Sequence, residues 1–167
     1  MDAETRAQQL EEYFYAVAPA MRRTAYLIVR DWHTAEDMVQ ATFTKLYVAW
    51  PRVRRDGLDV YARRILVNTC LTHLRQNRRL LVTDAVPERV VEPPGPAWDL
   101  SGALGILPPQ QRAVVALRFL DDLSVQQVAD VLDIAPGTVK SQTSRALATL
   151  RNHLPLLVAD EESAHDR

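Results

Sequence analysis

The stretch from Leu123 to Leu154, LSVQQVADVLDIAPGTVKSQTSRALATLRNHL, constrains the fold more than any other part of this chain. Ser124 and Gln127 form an S-x-x-Q capping box, in which each side chain satisfies a backbone amide left open at a helix start. Leu123, Val125, Val128, Ala129 and Leu132 follow as an apolar stripe, with Ala129 small enough for two crossing helices to come close. Asp133-Ile134-Ala135-Pro136-Gly137 interrupts the pattern, because proline cannot continue a helix and glycine relaxes the backbone. A second helix then buries Val139, Ala146, Leu147 and Leu150. Its first turns present Thr138, Lys140, Ser141, Gln142, Ser144 and Arg145, all able to hydrogen-bond and none acidic. A scaffold helix followed by a helix with a polar, basic N-terminal half is the helix-turn-helix pattern, whose second helix enters the major groove of DNA. A merely solvated helix pair would bury a similar stripe but normally mixes charge signs. No Asp or Glu occurs from Ala135 to Leu154, which suits a face turned to phosphates.

The rest of the chain reads as helix too. Few glycines, abundant Ala, Leu, Val and Arg, and no sustained strand alternation predict an all-α fold of two small helical domains. The segment 82–97, VTDAVPERVVEPPGPA, holds four prolines, a glycine and scattered acids without a period, the composition of a flexible, Pro-rich linker. It divides the chain into a unit at 1–81 and a smaller one at 98–156, followed by an acidic tail at 157–167. In the first unit, Leu10, Tyr13, Phe14, Val17, Met21, Ala25 and Ile28 form an amphipathic helix, expected to break or bend near Pro19. Thr34 with Asp37 predicts the next helix start, with Met38, Val39, Thr42, Phe43, Leu46, Tyr47 and Trp50 on one face. A loop from Arg52 to Leu58 leads into a long helix at about 59–81. In the second unit a short helix is expected near 99–106, and Pro108-Pro109 suits the first turn of another. That helix, at 110–120, is expected to bury Val114, Val115, Leu117 and Phe119.

Charge distribution says more than the net charge of −1. From Pro51 to Arg79 eight arginines stand against two acids, whereas the linker and the tail are acidic. An arginine-rich loop and helix with Tyr61, Asn68 and Gln76 interspersed fits phosphate neutralisation plus base stacking. Enzyme chemistry has little to stand on: no Gly-rich phosphate loop, nucleophile elbow or metal-ligand spacing occurs, so no cofactor and no metal is expected. His33, His73, His153 and His165 are scattered, and Cys70 sits on an apolar helix face as a small buried hydrophobe. No apolar run is long enough to span a membrane, and the polar, acidic start is unlike a signal peptide, so a cytoplasmic location is expected.

Three segments in order, TAEDMVQATFTKLYVAW (34–50), YARRILVNTCLTHLRQNRR (61–79) and LPPQQRAVVALRFLDDLSVQQVADVLDIAPGTVKSQTSRALATLR (107–151), resemble the extracytoplasmic-function (group IV) sigma factors of bacterial RNA polymerase, in the wording of their actinobacterial SigE-family type. The resemblance implies a region-two helical bundle and a region-four helix-turn-helix domain, and a transcription initiation factor rather than an enzyme. It implies that Asp37, Gln40, Phe43 and Leu46 dock on the beta-prime clamp of core polymerase, with the beta flap as a second contact. The family often carries glutamate where this chain has Ala41. It further implies that the loop after Trp50 and the following helix read the −10 element as single strand, through Arg52, Arg54, Arg55, Tyr61, Arg64, Asn68 and Arg75. Thr138, Lys140, Ser141, Gln142, Ser144 and Arg145 would then read the −35 element. The implied partners are core polymerase, promoter DNA and an anti-sigma factor. A free-standing helix-turn-helix regulator that binds an operator without polymerase is the alternative reading, although it leaves the first unit without a role.

Overall fold

The computed structural model describes residues 2–81 and 102–153, and every regular element among them is helical. The linker expected at 82–97, the outer boundaries of the second unit and the acidic tail lie outside the described residues. Asp2 caps the first helix, α1 (Ala3–Val29), by accepting the Thr5 amide at 2.8 Å. The helix runs through Pro19 rather than stopping there. Proline removes one amide donor, but Pro19 lies on the exposed side, where the orphaned carbonyl can turn to water. Arg30 ends the helix in the left-handed conformation (φ 63°).

The next helix, α2 (Trp32–Ala49), starts earlier than Thr34 and Asp37 suggest. Asp31 is its cap, accepting the Thr34 amide at 2.8 Å and its hydroxyl at 2.6 Å. An aspartate in extended backbone three residues before a threonine is the stronger start signal, because a charged oxygen accepts the open amide. Short 3-10 turns at Trp50–Arg52 and Arg55–Gly57 then lead into α3 (Leu58–Leu81). Met21, Ile28, Val39, Leu46, Leu66 and Val67 fill the core between these three helices. Around it, Phe14 stands edge-on to Phe43 at 4.8 Å, and Tyr13 lies 6.0 Å from Trp50.

In the second unit α4 (Pro109–Val115) opens on proline and passes directly into a wide, π-helical turn at Ala116–Leu120. The Asp121 amide closes that turn on the Ala116 carbonyl at 3.0 Å, five residues back. More residues per turn rotate the following side chains off the apolar stripe. Phe119, expected in the core, is therefore 58% exposed, while the Asp121 side chain is turned inward, only 5% exposed. Next come α5 (Val125–Leu132) and α6 (Pro136–His153). The capping box forms as expected, Ser124 and Gln127 each accepting the other's amide. Asp133 takes the left-handed position (φ 54°) that ends α5. Pro136 is the first residue of α6, so the turn itself spans only Asp133 to Ala135.

The two units share one core. Ala113, Val114, Leu117, Val128, Ala129, Val131 and Val139 continue the cluster built by the first three helices. A second cluster, Leu104, Leu107, Val115, Ala146 and Leu150, closes the far side of the helix-turn-helix and packs on Leu27 of α1. Polar anchors cross the same boundary: Arg112 donates to the Ile28 carbonyl from Nε at 3.0 Å and Nη2 at 2.7 Å. Its third nitrogen, Nη1, donates to the Leu107 carbonyl at 2.9 Å, so each nitrogen of this buried guanidinium has a carbonyl acceptor.

Candidate nucleic-acid interface

On α3 the residues Tyr61, Arg64, Asn68 and Arg75 recur at three, four and seven, which places them along one side of a helix. All four are exposed. The apolar positions Ala62, Leu66, Val67 and Cys70 take the opposite side and are completely buried. Burial pushes the Cys70 thiol up to about 12.

At the start of this stripe lies an open cavity of about 450 Å³ between α2 and the loop before α3. Lys45, Val48, Arg52, Arg54, Gly57 and Tyr61 line it. Its wall thus combines cations, an aromatic ring and apolar carbon, the elements that hold an unstacked base beside its phosphate. Arg52 and Arg54 are exposed, and Arg54 reaches Asp56 at 3.4 Å. Arg55 is turned away from the cavity: its guanidinium stacks 4.9 Å from the Trp50 ring and donates to Gln9. Lys45 and Val48 were not among the residues expected there. They occupy the outer side of α2, which only the packed structure brings opposite Arg52.

The four residues expected to meet polymerase separate into two groups. Asp37 and Gln40 are exposed on α2, and Gln40 borders a groove of about 290 Å³ with Phe14, Tyr15, Pro19, Arg22 and Glu36. Leu46 is completely buried and Phe43 only 8% exposed, so both side chains pack into the core of the helical bundle. Helical spacing puts Phe43 and Leu46 on the stripe with Val39, which faces α1 and α3. Tyr15, 70% exposed, and Tyr47 and Val48 are the large apolar groups that remain accessible nearby.

On α6, Lys140, Ser141, Ser144 and Arg145 are exposed, while Thr138 and Gln142 are half-buried. Ser141 donates to the Thr138 carbonyl at 3.0 Å, and the side-chain oxygen of Gln142 is buried without a partner. Val139, Ala146 and Leu150 hold the helix from beneath.

A third set of polar contacts joins the units. Asp121 accepts from the Thr24 hydroxyl at 2.9 Å and 3.0 Å, and from Arg63 Nε at 3.3 Å. Burial raises the Asp121 carboxyl above its ordinary value, with the Thr24 hydroxyl and the Arg63 charge opposing that rise. Arg64 Nη2 stands 3.6 Å from Asp133 Oδ1.

Residues 14–80 match the family model described as Sigma-70 region 2, and residues 98–150 match that of Sigma-70, region 4. The RNA polymerase sigma-E factor of Streptomyces coelicolor is 34% identical over 153 residues, 87% of this chain and 86% of that protein. This chain belongs to the sigma-70 family, as an extracytoplasmic-function sigma factor. The sigma factor is also 31% identical to the ECF RNA polymerase sigma factor SigE of Mycolicibacterium smegmatis, covering 82% of this chain and 58% of that one. Among solved structures it is similar to the sigma factor RpoE, in complex with the anti-sigma factor NepR from Bartonella quintana. There the TM-score is 0.79 at 26% identity, over 89% of this chain and 98% of that chain. CnrH, solved with the cytosolic domain of CnrY, shares the fold with a TM-score of 0.69 at 20% identity, over 92% of this chain and 95% of that chain. The protein is therefore an alternative RNA polymerase sigma factor, and the operator-binding regulator is not favoured. Among the described residues no helix is long and apolar enough to cross a membrane.

Proposed function

We propose that this sigma factor works in the cytoplasm, without catalytic chemistry of its own, by dividing promoter recognition between its two units. Residues 1–81 bind core polymerase and the −10 element. Residues 98–156 bind the −35 element, and 82–97 tether the two ahead of an acidic tail at 157–167. Asp37 and Gln40 supply polar contacts to the clamp. The groove and the exposed Tyr15 beside them supply apolar area, and Phe43 and Leu46 act from beneath by fixing the helix. The beta flap, and an anti-sigma factor of the kind found with RpoE, are the further partners of this reading.

The observation that carries the −10 assignment is the cavity at Lys45, Arg52, Arg54 and Tyr61, opening onto the Arg64, Asn68 and Arg75 stripe. A base leaving the stack costs a few kcal/mol, which an aromatic face and neutralised phosphates offset. Arg55, held by Trp50 and Gln9, supports the loop instead of lining the cavity. On α6, Lys140 and Arg145 supply cations, and Ser141, Ser144, Thr138 and Gln142 supply hydrogen-bonding groups towards the −35 duplex. Two weak readers gain affinity together only when a scaffold holds them at the correct separation, and core polymerase is that scaffold.

The test is initiation by purified core polymerase and the full chain across a library of genomic promoters, with permanganate probing of opened thymines. Promoter-selective transcripts with opened thymines near −10 are expected. Arg52→Ala with Tyr61→Ala should abolish the opening while polymerase binding persists. Equal opening by that variant would refute the cavity assignment.

A further inference from the structure

The loop that carries Arg52 and Arg54 is weakly tied by its own backbone. Its turns are closed by long bonds, the Val53 amide on the Trp50 carbonyl at 3.4 Å and the Gly57 amide on the Arg54 carbonyl at 3.3 Å. The Arg54–Asp56 pair is exposed on both sides and adds little.

Two side chains of α1, one helical turn apart, supply what the loop lacks. Gln9 uses a single oxygen, Oε1, to accept from the Trp50 indole at 3.4 Å and from the Arg55 guanidinium. Arg55 is at the same time stacked 4.9 Å from the Trp50 ring. Tyr13 donates its hydroxyl at 2.8 Å to Asp59, in the first turn of α3, and its ring lies 6.0 Å from that of Trp50. Burial and the Asp59 carboxylate push the Tyr13 phenol up, so it remains a donor at neutral pH. The entry, the middle and the exit of the loop are therefore all fastened to one helix. Fastened and cavity-lining residues take turns along the chain: Arg52, Val53, Arg54 and Gly57 line the cavity, whereas Trp50, Arg55 and Asp59 are held by α1. Gln9 and Tyr13 do not line the cavity themselves.

We propose that Gln9 and Tyr13 are positioning residues for promoter opening, holding the loop from behind in the geometry that receives the −10 strand. This rests on the −10 reading given above. A loop fixed before binding has less conformational freedom left to lose, so it holds an unstacked base more tightly than a free loop with the same side chains. The effect falls on the opened strand, not on the polar groups that Asp37 and Gln40 offer to polymerase. At residue 9 the requirement is an acceptor oxygen, which glutamate supplies as well as glutamine does.

The experiment uses the full chain with core polymerase on a duplex promoter. Gln9→Ala, Tyr13→Phe and the two combined are compared with Gln9→Glu, and with Gln8→Ala, an exposed neighbour on the same helix, as control. Permanganate reads the opened thymines, a titration reads polymerase binding, and urea unfolding confirms that each variant is folded in the assay. Opening is expected to fall about three-fold in each single variant and about ten-fold in the combined one. Polymerase binding should stay within about two-fold of the control. Gln9→Glu should open the promoter as well as the parent does. Tyr13→Phe removes one oxygen and keeps the ring, so it decides the matter if the combined variant unfolds. Opening equal to the control in Tyr13→Phe and in Gln9→Ala overturns the proposal. So does polymerase binding that falls in step with opening, or a Gln9→Glu variant as defective as Gln9→Ala. Opening lost in the Arg52 and Tyr61 variants but kept in these sinks the positioning role alone; opening kept in the Arg52 and Tyr61 variants removes the −10 reading itself.

Discussion

Arg63 and Asp121, 58 residues apart in the chain, meet at 3.3 Å across the boundary between the two sigma units, with side chains only 18% and 5% exposed. A third helix contributes the Thr24 hydroxyl to the same carboxylate. The junction is therefore a partly dry, satisfied polar cluster set in apolar packing, where partners left unpaired are costly.

Exposed and buried positions on α2 should respond in opposite ways. Gln40→Ala and Asp37→Ala are expected to leave stability within about 0.5 kcal/mol. The same pair should weaken core polymerase binding by about ten-fold, or about 1.4 kcal/mol. Leu46→Ala removes a completely buried side chain and is expected to cost about 2–5 kcal/mol of stability. Urea titration alongside a polymerase-binding titration separates the two effects.

Lys140→Ala with Arg145→Ala should reduce promoter-directed transcription while sparing polymerase binding. If both side chains contact phosphate, the salt dependence of duplex binding by the holoenzyme should fall by about two in slope. Run-off transcription and binding at several salt concentrations measure this. Unaltered transcription would remove α6 from the recognition role.

Cys70 should be unreactive in the native protein. Its thiol is buried and pushed up to about 12, so almost no thiolate exists at pH 8. An aromatic disulfide reagent is expected to label the thiol only after guanidinium unfolds the chain. Rapid labelling under native conditions would mean that α3 opens readily.

Acid should weaken the start of α2. The Thr34 hydroxyl and amide hold the Asp31 carboxyl below its ordinary value. A group lowered in the folded state contributes stability above its unfolded value, about 3.9, and that contribution is lost as pH falls through the folded value. Acid titration followed by circular dichroism should therefore show a shallower pH dependence below about pH 4 for Asp31→Asn than for the parent.

Much of this molecule is legible in its residues because local signals and burial agree. The Ser124–Gln127 box, the left-handed Asp133 and the buried Val139, Ala146 and Leu150 are set by spacing within a few residues. The start of α2 falls earlier than Thr34 suggests because two capping signals, Asp31 and Thr34, lie within one turn, and the charged one wins. Phe119 departs from expectation for a different reason: a constant period of 3.6 places it on the buried face, and the wide turn carries it off that face. At the candidate DNA site, α3 shows its arginine stripe in sequence. Lys45 and Val48 join the cavity only through the packing of α2 against the loop. Arg112 carried a readable hint, a lone cation at the head of the apolar run AVVAL, where a charge is kept only if backbone carbonyls receive it.

The wide turn at Ala116–Leu120 makes chain length, as well as charge, a determinant of how this factor is held. Each helical residue advances the side-chain direction by about 100°. Removing one residue there would restore ordinary pitch, swing the carboxylate after the turn towards solvent and draw an aromatic ring into its place. A single-residue deletion there would thus take the carboxylate away from the Thr24 hydroxyl and Arg63 that now hold it.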